Sequence, residues 1–295
     1  MSKNLCDPEG FKNEISELLE KGDIDAFYHW FDGGVTKEGA FAKGEDVFRR
    51  VLAPLVVKYL GDDLVIGNAQ VAFDLGYGAG TKIQAAFDLF NMVYGIDVHD
   101  QHNFVLSELD VPEECDVSLM IGNGRDIPLT ANEVDFVYSW VTFCHLGTIE
   151  NVKQYLSEIF RVLKPGGVAV LFFTRLIRSG KNQKWVDVEA DMVKEREHTT
   201  GYREGGPLSK VRTINLVISM WKMEEMVKDA GFELLERTAS WDDTDDGIVY
   251  HGQYGVVIQK PKPKTTSTTA PPPQKKTKPI KKTKIKKKPE LKRGK

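Results

Sequence analysis

The residues Asp74-Leu75-Gly76-Tyr77-Gly78-Ala79-Gly80 hold the densest chemical signal in the 295-residue chain. Three glycines at alternate positions let the main chain turn tightly and let a ligand approach it closely. The segment follows the apolar run Val71-Ala72-Phe73 and precedes a helix pattern beginning at Thr81. A strand-to-helix turn of this kind offers amide groups and a helix dipole to an anionic group. Asp97 ends the next apolar run, 21 residues after Gly76. A carboxylate at that place accepts hydrogen bonds from both hydroxyls of a ribose. Together the two features point to an adenosine-containing ligand at the carboxyl ends of neighbouring strands.

The elements that hold these residues alternate along the chain. Apolar positions recur at helical spacing from Phe11 to Phe31, where Gly33 and Gly34 interrupt them. A second amphipathic stretch runs from Asp46 to Leu60, with Pro54 starting or kinking its latter part. Short buried-strand runs follow at residues 71–76, 93–98, 117–122, 134–141 and 168–173. A helix pattern opens at Thr148 and ends at Lys164-Pro165-Gly166-Gly167. Strands alternating with helices indicate a parallel, doubly wound α/β sheet. Residues 176–215 read as a polar insertion whose segment 186–198 is a charged helix. Ser219 then caps a helix, and runs 232–238 and 254–260 form an antiparallel pair across an acidic loop, Asp242 to Asp246. The expected divisions are an N-terminal helical segment (1–62), a main domain (63–260, with the insertion as a lid) and a tail (261–295).

The net charge of −3 conceals two opposite parts. Residues 261–295 carry 14 Lys/Arg against one acid, Glu290, so the rest of the chain stands at −16. With seven prolines and almost no apolar residues, this tail reads as disordered. It suits a nucleic acid, an anionic lipid surface or an acidic partner, the body of the chain included. The longest apolar stretch, Val168 to Phe173, is too short to span a bilayer. The first residues lack the apolar core of a signal peptide. Three scattered cysteines exclude a disulfide framework and a CxxC metal site, so a cytoplasmic location is expected.

Four motifs in order resemble those of the class I S-adenosylmethionine-dependent methyltransferases, within the UbiE-like group called type 11. They are Asp74 to Gly80, Tyr94 to Val98, the segment 122–146 with Asp126-Ile127-Pro128-Leu129, and Arg161 to Gly167 leading into a strand. Residues 229–236 resemble the family's late helix and strand. The resemblance covers about residues 69–175 and 216–258. It implies a seven-stranded, mostly parallel, Rossmann-like methyltransferase fold with an antiparallel last strand, and S-adenosyl-L-methionine as cofactor. By that resemblance Gly76, Tyr77 and Gly78 hold the methionine end, and Asp74 orients its amino group. Asp97 holds the ribose, Val98 flanks the adenine, and Asn123, Gly124 or Asp126 meets the adenine edge. Trp140 stands where cofactor and acceptor meet and could attract the sulfonium. His145 is the first candidate for a general base and His99 the second. Arg175, Arg178, His198, Tyr202 and Arg203 belong to the lid.

Two other functions compete. A dehydrogenase fingerprint needs glycines as G-x-G-x-x-G, and here Thr81 takes the last place. A non-catalytic module tethering nucleic acid through the tail would not need near-complete cofactor motifs. The acceptor reads as a small molecule in first place. Ser139-Trp140-Val141-Thr142 is not the Pro-Pro-aromatic motif of exocyclic-amine enzymes, and no Pro-Cys pair offers the nucleophile of cytosine-C5 enzymes. An RNA or ribosomal acceptor is the alternative that the tail favours.

Overall fold

Short apolar runs become strands when parallel neighbours bury both of their faces. The computed structural model describes residues 8–32, 36–65, 70–175, 177–179, 184–186, 191–203, 206–240 and 253–263. After helices α1 (Pro8–Glu20), α2 (Ile24–Asp32), α3 (Lys37–Val47) and α4 (Ala53–Val65) the sheet begins. It continues as β1 (Val71–Leu75), α5 (Thr81–Ala86), β2 (Met92–Asp97), α6 (His102–Glu108), β3 (Asp116–Ile121) and β4 (Val134–Ser139). Then come α7 (Ile149–Val162), β5 (Leu163–Arg175), β6 (Ile177–Ser179), β7 (Lys184–Val186), β8 (Met192–Arg203) and β9 (Gly206–Val217). The described chain closes with α8 (Met220–Asp229), β10 (Glu233–Ala239) and β11 (Gln253–Gln259).

Seven strands form the central sheet in the order β10-β11-β5-β4-β1-β2-β3. The five strands β1 to β5 are parallel, and β11 is antiparallel to both of its neighbours. The alternation of side chains splits the core in two. Val168, Val170 and Phe172 of β5 and Phe136 and Tyr138 of β4 face a layer holding α1 to α5. Ala169, Leu171 and Phe173, with Val137 and Phe73, face α7 and α8. This is the doubly wound arrangement, with helices on both faces.

Three local features follow from single residues. Pro54 has no N–H to give to the helix, and the turn before it widens to π spacing, with the Ala53 N–H reaching the Phe48 carbonyl. The Thr148 hydroxyl accepts the Asn151 N–H at 3.2 Å and opens α7. Thr148→Ala is expected to cost about 1 kcal/mol, lowering the thermal midpoint by about 2–4 °C in a melting curve. α7 ends earlier than its glycines suggest: extended Leu163 caps it, its N–H donating to the Ile159 carbonyl, and Gly166, at φ 89°, lies inside β5.

The insertion differs from expectation. Of the expected helix 186–198, residues 192–198 form a strand instead and 187–190 lie outside the described residues: β8 pairs antiparallel with β9 from Met192↔Val217 to Arg203↔Gly206, and β6 pairs with β7. The charges of Lys194 to His198 alternate in sign with period two, which suits a strand, and the β-branched residues of β9 favour the same state. Ser219 stands at the N-cap of α8, yet its N–H and hydroxyl both donate to Asp191 Oδ1, at 2.8 and 2.9 Å. The acidic loop 242–246 and residues 264–295 of the tail lie outside the described residues. Among the described residues no helix is long and apolar enough to cross a membrane.

Candidate active site

β1 and β2 end side by side, and this fixes the glycine turn against Asp97. The Gly76 N–H donates to the Ile96 carbonyl at 2.8 Å. The Gly78 N–H donates to Asp97 Oδ2 at 2.9 Å, and the Val98 N–H to Oδ1 at 2.7 Å. Asp97 and Val98 are half-buried. A carboxylate has about four acceptor directions, so two remain toward a ligand. Gly76 and Gly78 take φ 84° and 57°, in the left-handed region that favours glycine. A Cβ on Gly76 would stand 1.8 Å from Thr142 Oγ1, and one on Gly78 would stand 2.7 Å from the Phe31 ring. Thr142, in the 3-10 turn Thr142–His145 after β4, and Ser139 both donate to the Leu75 carbonyl, at 2.9 and 3.0 Å. They hold the end of β1 where the turn begins.

Asp74 lies beneath the turn, fully buried. Neither of its oxygens meets a donor at hydrogen-bonding geometry, and the Tyr138 hydroxyl beside it is likewise unmatched. Burial pushes the Asp74 carboxyl up to about 7, against the pull of the Lys82 ammonium and the Tyr138 hydroxyl. The negative charges of Asp97 and Asp32 add to the push. A buried carboxyl without a donor calls for a cationic or N–H group from a ligand.

Tyr77 turns inward rather than toward a ligand and is 1% exposed, its ring edge-on to His99. Burial, then Asp97 and Asp74, raise its hydroxyl far above the usual phenol range. His99 is fully buried. Its Nδ1 accepts the Gln101 N–H at 3.2 Å, so the neutral ring carries its proton on Nε2, which donates to the Gly78 carbonyl at 2.9 Å. In this arrangement His99 braces the turn and offers no free nitrogen to an acceptor. Phe27 and Phe31 of α2 close around it.

The N-terminal helices therefore reach the turn, which sequence periodicity alone did not reveal. Asp32, at the end of α2, accepts from Lys82 Nζ at 2.7 Å and from the Thr81 hydroxyl at 2.9 Å, both in the first turn of α5. This ion pair is buried on both sides. Breaking one half of such a pair strands the other charge. Phe31 looked in sequence like one more apolar residue of a helix, so nothing marked it as the neighbour of Gly78.

The remaining candidates spread along the same edge. The Gly122 N–H donates to the Asp97 carbonyl at 2.6 Å, which brings the loop after β3 beside Asp97. There the Asn123 side chain serves its own turn: Oδ1 accepts the Arg125 and Asp126 N–H groups, each at 2.8 Å, and Nδ2 donates to Asp126 Oδ2. Asn123 and Asp126 are exposed, and Gly124 is half-buried at φ 76°. Trp140 is 7% exposed and packs edge-on against Phe172, with ring centroids 4.8 Å apart. His145 is exposed at the end of the 3-10 turn. Arg175 ends β5, Arg178 lies in β6, and His198, Tyr202 and Arg203 lie in β8.

Residues 73–171 match the family model described as a methyltransferase domain. The match covers a third of the chain, and over that stretch the chain is similar to the class I S-adenosylmethionine-dependent methyltransferases of the type 11 group. Two curated relatives resemble it. The mouse (Mus musculus) tRNA (carboxymethyluridine(34)-5-O)-methyltransferase is 25% identical over 131 residues, covering 44% of this chain and 18% of its own length. The Arabidopsis thaliana 24-methylenesterol C-methyltransferase 2 is 26% identical over 186 residues, covering 59% of this chain and 45% of its own. The chain thus spans less than half the length of these relatives. The CcbJ methyltransferase of Streptomyces caelestis shares the fold, with TM-score 0.52 and 14% identity over 74% of this chain and 94% of that one. The chain's own residues fit the family's cofactor. Asp97 keeps acceptor capacity for a ribose diol beside bare main chain, and the orphaned Asp74 carboxyl suits an ammonium.

Proposed function

We propose that the protein transfers a methyl group from S-adenosylmethionine to an O, N or C atom of an acceptor, a small molecule in first place. The half-buried Asp97 carboxylate carries this reading. Its two oxygens hold the turn through Gly78 and Val98 and keep capacity for two ribose hydroxyls. In the proposal the main chain of Gly76, Tyr77 and Gly78 lies along the methionine end, and Asp74 receives its ammonium. Val98 flanks the adenine, and Asn123, Gly124 and Asp126 border its edge. Trp140 backs the region where donor and acceptor meet. His145 accepts a proton where the acceptor atom must lose one. The bound cofactor supplies a methyl group already activated by its sulfonium, so the chain's task is alignment and exclusion of water. The lack of base-methylating motifs at 139–142 supports the small acceptor, and the scattered cysteines support a cytoplasmic location.

A second reading, an RNA- or ribosome-directed enzyme, is favoured by the basic tail and by the likeness to a tRNA methyltransferase. Incubating the protein with methyl-labelled cofactor and fractionated cell extract separates the two. Label is expected in the metabolite fraction. Label confined to RNA would replace the first reading with the second.

A further inference from the structure

The face of the sheet that carries Asp74 carries another buried polar side chain with no protein partner. Gln253 opens β11 and is fully buried, and neither its carboxamide oxygen nor its nitrogen meets a hydrogen-bonding group. Its main chain is pinned: the Gln253 N–H donates to Ser240 Oγ at 2.9 Å, and its carbonyl accepts the Ser240 N–H at 2.9 Å. Val257 of β11 belongs to the core layer of α1 to α5, and Val256 and Ile258 to that of α7 and α8. Strand alternation then puts Gln253 on the side of Val257, as it puts Asp74 on the side of Ala72 in the same layer. Between Asp74 and Gln253 on that side stand Tyr138, Trp140 and Phe172. Gly255 pairs with Phe172 and leaves its ring room, since a Cβ there would stand 2.7 Å from the ring.

β5 and β11 also outrun their neighbour. β4 makes its last pair with β5 at Ser139↔Leu171, whereas β11 pairs with β5 as far as Gln253↔Arg175. The two strands rise about 13 Å past the end of β4, a wall on the far side of β4 from the glycine turn. The proposed cofactor lies along the ends of β3, β2 and β1, with its methionine end at the turn after β1. The next places along the edge are β4, β5 and β11, in that order. We infer that Gln253 orients the acceptor by hydrogen bonds to a neutral amide-type edge, an N–H or O–H beside a carbonyl oxygen. A buried carboxamide without a partner is costly, which calls for one from a ligand. Its oxygen takes a donor and its NH₂ an acceptor at the same time, and it has no charge with which to answer a carboxylate or a phosphate. The inference rests on the methyltransferase reading and names its acceptor's chemistry. The edge belongs to a small molecule or to an RNA base, and the fraction that takes label separates these sources.

The test uses the full chain and Gln253→Met, which keeps the side chain's length and removes its polar atoms. Three measurements are made: a melting curve without ligand, calorimetry with S-adenosylhomocysteine, and initial rates of label transfer to the extract fraction that the native chain labels, at several dilutions. Without ligand the variant should melt about 2–4 °C higher, because an orphaned polar group leaves the core. S-adenosylhomocysteine should bind as before. Transfer at the highest dilutions should fall about tenfold or more, as expected for lost acceptor hydrogen bonds. A lower melting point would overturn the inference by showing that the carboxamide is already satisfied within the fold. Native rates at high dilution would overturn it, and so would a parallel loss of S-adenosylhomocysteine affinity, which would place Gln253 at the cofactor instead. Mass spectrometry of the labelled product should find an amide-type edge, and a lipid bearing a single hydroxyl would count against the inference. If the native chain bound no S-adenosylhomocysteine and labelled no fraction, the methyltransferase reading itself would fall and take this role with it.

Discussion

Replacing Asp97 with alanine is expected to weaken S-adenosylhomocysteine binding by about 100-fold. The carboxylate has two duties. It accepts the Gly78 and Val98 N–H groups, which sets the path of the glycine turn, and it is proposed to accept both ribose hydroxyls. Hydrogen bonds to a charged group are worth about 1.5–3 kcal/mol each, so losing two costs on the order of 3 kcal/mol or more, and each 1.4 kcal/mol is tenfold in affinity. Asp97→Asn offers no full rescue, because its NH₂ group would meet the N–H of Gly78 or Val98. Its affinity should fall about tenfold by the same arithmetic. Calorimetry with the demethylated cofactor reads both values. Native-like affinity in the alanine variant would remove Asp97 from the binding site.

Asp74→Asn is expected to do two opposite things. It should weaken the same ligand, since the amide cannot pair with an ammonium as a carboxylate does. It should also stabilise the ligand-free protein above neutral pH. The sign follows from linkage. Asp74 has an ordinary value near 3.8 when exposed and about 7 when folded. Between these pH values the folded chain holds a proton that the unfolded chain has released, so native stability falls as pH rises. A shift of this size corresponds to roughly 4 kcal/mol at 1.36 kcal/mol per unit. The variant has nothing to titrate there, so its advantage should be small near pH 4 and reach a few kcal/mol by pH 8. Denaturant unfolding at pH 5 and pH 8 measures the difference. An advantage that does not grow with pH would mean that Asp74 is not buried and protonated as described.

Much of the architecture could be read from local patterns because local patterns cause it. The apolar runs at 71–75 and 134–139 are buried on both faces, and Thr148 opens a helix as such an end requires. Asp97 was legible for the same reason: a strand end fixes where its side chain can go. The insertion was misread because its charges were counted without their alternation, and a sign change at every residue is a strand's period. Other parts depend on contacts that no short window contains. The approach of Phe31 to Gly78, the Asp32–Lys82 pair and the Thr142 bond to Leu75 join residues far apart in the chain. Asn123 and His99 were of the right type for chemistry, and each is occupied in holding a turn.

The first four helices have a practical consequence for anyone shortening or grafting this protein. Phe27, Tyr28, Phe48 and Leu52 lie at 0–1% exposure in the same core layer as the sheet residues Phe136 and Tyr138. A fragment trimmed to the stretch shared with the family would bare that layer. It would also leave β5 without β11, as a raw hydrophobic sheet edge open to self-association. Exchange of catalytic modules with relatives therefore has to carry the leading helices and the two closing strands together with the glycine turn.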